Sequence, residues 1–514
     1  MDARAEDAER ERVLAAYGAG RPSLVRARLV ADLETPVAAF LKLREGRAGA
    51  AFLLESVEGG ATRGRYSMIG LEPDLVWRCL DGRAAIDRAA LDGVGAFEEE
   101  AAPPLESLRA LVAESRIPLD EEEARDLPPM AAGLFGYLGY DMVREMERLP
   151  NVNPDVLGVP DAILVRPTVM VVFDAVRDEI QLVAPVRPRP GVSALAAYET
   201  ARARIESVID ALERPLPAEA RLDATAAPIA IEPVSNTPAD EYEAMVERAK
   251  EHIRAGDAFQ IVLSQRFDAD FPLPAIALYR ALRRVNPAPF LCYLDFERFQ
   301  IVCSSPEILV RVRGGEVTVR PIAGTRPRGA TPQEDRRHAE ELLADPKERA
   351  EHLMLVDLGR NDVGRVAEYG SVRVTDSFFL EYYSQVMHIV SNVTGRLSAR
   401  HDALDALVAG FPAGTVSGAP KVRAMEIIDD LERHKRGPYA GCIGYFGIDG
   451  EMDTCIVLRT ALVKDGRMHV QAGAGIVYDS VPASERMECV NKAKALFRAA
   501  EEAVRFASRA RRGQ

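Results

Sequence analysis

Four turn dipeptides constrain this 514-residue chain more than any other feature. Asp81-Gly82, Gly314-Gly315, Asp449-Gly450 and Asp465-Gly466 each lie between alternating or β-branched runs. Such dipeptides close hairpins, because Asp and Gly reach the positive φ of a two-residue loop at little cost. Many strands must therefore pair antiparallel. Helical stretches interrupt them. In Ala239 to Ala255, the residues Tyr242, Met245, Val246, Ala249 and Ile253 recur at helical spacing, after Thr237-Pro238 and before Gly256. The mixture predicts an α+β fold.

Between Pro185 and Pro238, Pro, Ala and Arg accumulate, with a short helix expected over Ala194 to Leu212 and a linker over Pro215 to Ser235. The expected division is an N-terminal tail over 1–22, a first domain over 23–214, a linker over 215–237, a second domain over 238–507 and a C-terminal tail over 508–514. Strands are expected at Thr168 to Phe173 and Glu179 to Pro185 in the first domain, and most of the chemically suggestive residues fall in the second.

A net charge of −14, from 65 basic and 79 acidic residues, disfavours nucleic acid and anionic membrane as partners, so an anionic substrate needs a local basic pocket. The opening MDARAEDAERER is charged throughout, unlike a secretory signal, and no stretch of about 18 apolar residues follows. A cytoplasmic location is expected. The six cysteines, Cys79, Cys292, Cys303, Cys442, Cys455 and Cys489, show neither C-x-x-C pairs nor a compact framework, and read as reduced, buried thiols.

Two acidic helices stand out. In "DPKERAEHLMLVDLGRNDVGRV", Asp345 can cap and Pro346 can open a helix with Glu348 and Glu351 on one face. "SERMECVNKAK" repeats the geometry with Glu485 and Glu488, and Lys492 one turn further along. Facing one another, the two pairs could hold a hard divalent ion partly through water. Equally, Asp345 with Glu348 has the form of a capping box, and Glu488 with Lys492 that of a surface ion pair. "PAGTVSGAPK" lacks the spacing of a phosphate loop. The glycines of "QAGAGIVYDS", placed after an alternating strand, could offer backbone N–H groups to a carboxylate, or simply end the strand. "AGCIGYFG" resembles a nucleophile elbow but has Ala440 in place of the first glycine of that motif, and no His-x-Glu pair follows Cys442, so a glutaminase site is absent. In "MDTCIVLRTALV", alternation places Asp453, Cys455, Val457 and Arg459 on one face, where the arginine needs an anion or an escape to solvent. His388, in a strand-like apolar run, reads by itself as a satisfied core residue.

Taken in order, "LLES", "PIAGTRPRG", "AEHLMLVDLGRND", "FPAGTVSGAPK" and "RMECVNKAKA" resemble the chorismate-utilising enzyme family, in its branch of large anthranilate synthase subunits. The resemblance covers nearly the whole chain. It implies a large layered α/β sandwich of mostly antiparallel sheets flanked by helices. It also implies a magnesium site at Glu348, Glu351, Glu485 and Glu488 that grips the ring carboxylate of chorismate. Gly324, Thr325, Thr415 and the Gly473, Ala474, Gly475 backbone are similar to substrate-lining positions, and Tyr439, Arg459 and Lys492 to those that hold the enolpyruvyl carboxylates. Arg326 and Arg328 match no ligand role. In the implied reaction, ammonia adds at C2 as the C4 hydroxyl leaves, then pyruvate is eliminated in a lyase step that leaves an aromatic ring. Glu307, in "SSPE", matches the acid that protonates the departing hydroxyl, and His388 the residue associated with elimination.

Ala323 stands where aminodeoxychorismate synthases carry a lysine, and Gln260 where isochorismate and salicylate synthases carry a lysine base. The resemblance therefore implies anthranilate formation, with ammonia supplied by a separate glutamine amidotransferase subunit in a hetero-oligomer. The alternatives are aminodeoxychorismate synthesis and a non-catalytic tryptophan sensor on the same scaffold. Leu54, Glu55 and Ser56, with Pro289, Phe290, Leu291, Gly444, Tyr445, Asp453 and Cys455, resemble a pocket for feedback inhibition by tryptophan in tryptophan biosynthesis. Phe290-Leu291 replaces the family's frequent Tyr-Met there. The competing expectation is that Glu55 pairs with a nearby arginine such as Arg65.

Overall fold

All strand pairings of the described residues are antiparallel, as the hairpin dipeptides demand. The computed structural model describes residues 3–58, 62–93, 95–150, 153–217, 231–383 and 386–507. In three of the four turns both central residues are left-handed: Asp81 and Gly82 at φ +49° and +71°, Gly314 and Gly315 at +57° and +75°, Asp465 and Gly466 at +51° and +73°. The fourth turn is longer, and Gly450 at +91° carries its positive φ.

The strands form an α+β sandwich. Its interior, built largely from strand residues such as Phe52, Leu54, Phe135, Val172, Ile301 and Ile443, is sheet against sheet. Phe52 and Phe135 stack there with centroids 4.7 Å apart. Helices cover the outer faces. One outer core joins Ala194–Glu213, Ala239–Ala255, Ala275–Val285 and Pro482–Ala507 to the sheet, and the other joins Pro104–Ser115 and Ala403–Gly410 to it. Burying one large apolar side chain is worth about 1.5–3 kcal/mol, so each amphipathic helix has reason to dock.

The sheet crosses the boundary expected near residue 215. Leu53 lies opposite Tyr293 and Gly136 opposite Gly444, so strands from the two sides of the sequence hydrogen-bond to each other. Most of the expected linker, 218–230, lies outside the described residues, as does the expected C-terminal tail over 508–514. The segment read as an N-terminal tail is instead largely the helix Ala3–Gly18, with Val13 and Tyr17 buried. Its high charge hid these two apolar anchors.

Two helices carry the acidic pairs. Asp345 caps Pro346–Gly364 by accepting from the Lys347 and Glu348 N–H groups, and the buried His352, Leu355, Val356, Gly359 and Val363 recur every one to four residues along one side. In Pro482–Ala507 the buried stripe is Cys489, Ala493, Leu496, Ala500, Ala503 and Ala507. Small side chains let that helix approach the sheet closely.

Candidate active site

The strand Ile322–Pro327 runs beside Val386–Arg396, with a register slip between Ala323 and Thr325. The slip is a bulge at Gly324, whose φ of +66° suits glycine. A Cβ there would come within 3.1 Å of Leu342 and 3.2 Å of the Glu348 carboxylate. His388 Nδ1 lies 3.0 Å from the Gly324 carbonyl oxygen and 3.1 Å from Thr325 Oγ1. A carbonyl only accepts, so Nδ1 carries the proton and Nε2 keeps a lone pair. Nε2 is buried with no partner among the described residues. Burial, helped by the Arg459 cation, pushes the His388 pKa down to about 4, so the ring is neutral near pH 7.

Glu307 stands where the strand Gln300–Ser305 hands over to Ile308–Arg313. Burial pushes its pKa up to about 8, against the opposing pulls of the Thr415 hydrogen bond, Arg459 and Lys492. Thr415 Oγ1 lies 3.3 and 3.4 Å from the two carboxyl oxygens. A carboxyl that keeps its proton at neutral pH can serve as a general acid.

Thr415 sits on the turn Gly414–Val416, and Arg436 fixes that turn. Arg436 is fully buried and donates to the Val416 and Val262 carbonyls, both at 2.7 Å, and to Glu432 at 2.5 and 2.9 Å. Glu432 in turn accepts from the Ser264 N–H at 2.8 Å and its hydroxyl at 2.9 Å. Sequence reasoning missed this pair. Its only signal is the four-residue spacing of Glu432 and Arg436, which reads equally well as a surface ion pair.

The cationic side comes from Arg459 and Lys492. The alternation expected through Asp453, Cys455, Val457 and Arg459 stops at Ile456, where the strand ends, and Arg459 adopts φ +48° before the next strand begins at Thr460. Arg459 therefore leaves the strand face, and its electrostatic partners are Tyr383 and Glu307. Asp453 pairs elsewhere, accepting from Arg311 through Oδ2 at 2.8 Å. Lys492 Nζ donates to the Gly473 carbonyl at 2.8 Å and pairs with Glu488 at 2.7 Å.

Gly473, Ala474 and Gly475 lie within the strand Arg467–Ile476, not after it, with Gly473 opposite Ser264 and Gly475 opposite Val262. A Cβ on Gly473 would stand 2.8 Å from the Tyr439 hydroxyl, and one on Gly475 2.5 Å from Gln260 Nε2. The glycines thus keep this stretch thin where Tyr439 and Gln260 close on it.

Glu348 and Glu351 lie in the first two turns of Pro346–Gly364, and Glu485 and Glu488 in the first two of Pro482–Ala507. The helices share one electrostatic field. Glu351 is raised by burial and by the charges of Glu348 and Glu488, and Glu485 by burial and by Glu488. Gln260 Nε2 donates to Glu351 at 3.2 Å. No three of the four carboxylates bring oxygens within 4.8 Å of one another among the described residues. An all-oxygen set this open fits an ion that keeps several of its waters, as magnesium does.

Arg326 and Arg328 hold protein carboxylates. Arg326 bridges Asp345 at 2.8 Å and Glu348 at 3.0 Å, while Arg328 pairs with Asp335 at 2.5 Å and donates to the Tyr383 carbonyl at 2.7 Å. They tie the bulged strand to the helices Pro332–Ala344 and Pro346–Gly364.

Of the residues expected around tryptophan, Leu54, Phe290, Tyr445 and Cys455 meet in the inter-sheet core. Ser56 lies opposite Phe290, Tyr445 opposite Asp453, and Gly444 is on the same strand, while Pro289 precedes Phe290–Asp295. Glu55 and Leu291 face the other way. Leu291 belongs to the outer core, and Glu55 accepts from Tyr279 at 2.5 Å and from Arg283 at 3.0 and 2.8 Å. Arg65, the partner expected for Glu55, pairs with Asp174 at 2.8 Å instead.

Residues 72–498 match the family described as chorismate binding enzyme. The chain is 57% identical over 497 residues to anthranilate synthase component 1 of Cereibacter sphaeroides, across 97% of this chain and 98% of that one. It is 48% identical to the component 1 of Pseudomonas putida, across 95% and 96%. The crystal structure of anthranilate synthase component I from Streptococcus pneumoniae TIGR4 superposes with a TM-score of 0.74 at 36% identity, covering 92% of this chain and 99% of that one. With that match spanning most of its length and relatives this similar from end to end, the chain belongs to the chorismate binding enzyme family.

Proposed function

We propose that this chain is the large subunit of an anthranilate synthase, converting chorismate and ammonia to anthranilate and pyruvate. The observation that carries the reading is that the buried Glu307 carboxyl, held by Thr415 at 3.3 and 3.4 Å, and the His388 ring, tied to the Gly324 carbonyl at 3.0 Å, share the field of the same two cations, Arg459 and Lys492. The reaction needs both an acid and a base, and burial sets both forms at one pH.

Arg459 and Lys492 offer the local positive charge that a dianion requires in a chain of net charge −14. Glu307, held by Thr415, gives its proton to the hydroxyl leaving C4, a contribution typically of about 10² to 10⁴ in rate. His388 Nε2 then accepts a proton as pyruvate departs, its orientation fixed through Nδ1 by Gly324. Glu348, Glu351, Glu485 and Glu488 would hold magnesium, which supplies positive charge to the ring carboxylate when bound.

Ammonia is already a nucleophile, so no base is needed to activate it. Gln260 is engaged with Glu351 and cannot take a proton at neutral pH, and Ala323 offers no amine, which favours this reading over the sister activities. Burial pushes the Cys442 thiol up to about 12, so it is no glutaminase nucleophile, and ammonia derived from glutamine comes from a separate subunit. Tryptophan is the expected feedback inhibitor, bound beside the inter-sheet core where Leu54, Phe290 and Tyr445 meet.

The test is direct. The chain with chorismate, magnesium and ammonium salt should give fluorescent anthranilate, and with glutamine in place of ammonium none. Aminodeoxychorismate as the sole product, or anthranilate from glutamine without a second subunit, would overturn the reading.

A further inference from the structure

Three of the six cysteines, far apart in sequence, converge between the sheets. Cys292 and Cys303 are directly opposite on adjacent antiparallel strands, and Cys455 reaches them from the strand Met452–Ile456. Their sulfurs all lie within 4.8 Å of one another, and none of the three residues is more than 4% exposed. Cys303 Sγ also donates to the Leu458 carbonyl at 3.8 Å. The scatter at 292, 303 and 455 concealed this arrangement in the sequence.

The geometry suits a three-coordinate centre. Three sulfurs bound at about 2.3 Å in a trigonal set stand about 4.0 Å apart, so modest side-chain rotation closes the cluster. Zinc needs a fourth ligand, and no fourth His, Cys, Asp or Glu joins the group among the described residues. Charge narrows the choice further. Apolar side chains dominate the surroundings, with Leu54 opposite Cys292 and Ile443 opposite Cys455 and only Thr460, opposite Cys303, polar among these directly paired residues, and an uncompensated charge in such a place is costly. Three thiolates leave a negative charge on a monovalent or divalent ion and none on a trivalent one.

We propose that Cys292, Cys303 and Cys455 form a capture site for one trivalent thiophilic metalloid of the arsenic(III) and antimony(III) class. With arsenous acid, three As–O bonds break and three As–S bonds form. Each thiol proton leaves with a hydroxide as water, and the oxidation state and net charge are unchanged.

The full chain incubated with sodium arsenite should show, by native mass spectrometry, one adduct of one arsenic less three hydrogens. Arsenic-edge X-ray absorption should report three sulfur neighbours. Cys442→Ser keeps the adduct, while Cys303→Ser and, as a second variant, Cys455→Ala lose it with a cooperative melting transition retained. Absence of the adduct from the parent chain, its persistence in both variants, or fewer than three sulfur neighbours would overturn the assignment.

Discussion

The His388 imidazole is tethered through Nδ1 to the main-chain oxygen of Gly324, 3.0 Å away across the bulge. The tether fixes the tautomer, and so decides which nitrogen can accept a proton. His388→Met keeps the apolar volume but removes the acceptor. We expect ammonia addition to continue and an amino intermediate to accumulate, seen by chromatography of the reaction mixture. Recovery of unreacted chorismate alone would remove His388 from the elimination step.

Gly324→Ala strains the same tether. A non-glycine residue held in the left-handed region costs roughly 1–2 kcal/mol, and the new Cβ would meet Leu342, Glu348 and Ile389 at 3.1 to 3.3 Å. The variant should melt earlier and turn over more slowly, with kcat affected more than KM. An unchanged melting temperature would show that the bulge relaxes freely.

Glu307 sets the alkaline limit. As a general acid it acts while protonated, so turnover should fall as pH rises through about 8. Glu307→Gln should lose about 10² to 10⁴ in rate and with it this limb of the profile. The stability sign follows from the same shift. A carboxyl raised from 4.5 to about 8 contributes stability that is full below pH 4.5 and lost as pH rises through 8. Glu307→Gln should therefore gain on the parent chain in melting temperature across that window, and parallel curves would refute the raised pKa.

Glu488 is about half exposed and its ion pair is with Lys492 on its own helix. Surface pairs of this kind are worth about 0–1 kcal/mol, so Glu488→Ala should fold normally. If it helps to hold magnesium, ammonium-dependent turnover in saturating magnesium should nearly vanish, and calorimetric titration should show weaker binding of the ion. A near-normal rate would exclude it from the site.

The hairpins and the capped acidic helix were legible because each is written in local spacing. Glu348, Glu351, Glu485 and Glu488 were legible in position for the same reason, though not in their separation. Long-range registry was not readable. The ends of strands near Arg459 and Gly473 depend on a left-handed backbone at one residue and on pairing with a strand 200 residues away. The Arg436–Glu432 brace and the thiol cluster escaped because only the folded sheet reveals burial and convergence. Even Glu55, whose position within "LLES" was plain, points opposite to its neighbours by the strict alternation of a strand.

That alternation yields a prediction about inhibition. Glu55 is buried against Tyr279 and Arg283, on the face away from the inter-sheet core of Leu54 and Tyr445. Breaking a buried pair costs about 3–5 kcal/mol, and Arg283 keeps some access to water, which places Glu55→Ala near the lower end. Any loss of tryptophan inhibition in Glu55→Ala should arise through the strand that carries Leu54 and Ser56. Arg283→Ala, which removes the anchor from the other side, should then shift the tryptophan inhibition curve to a similar degree, and the double variant should be little worse than either single one. Should Glu55→Ala abolish inhibition while Arg283→Ala leaves it intact at equal stability, the carboxylate must contact the inhibitor itself, and the orientation described for it would be wrong.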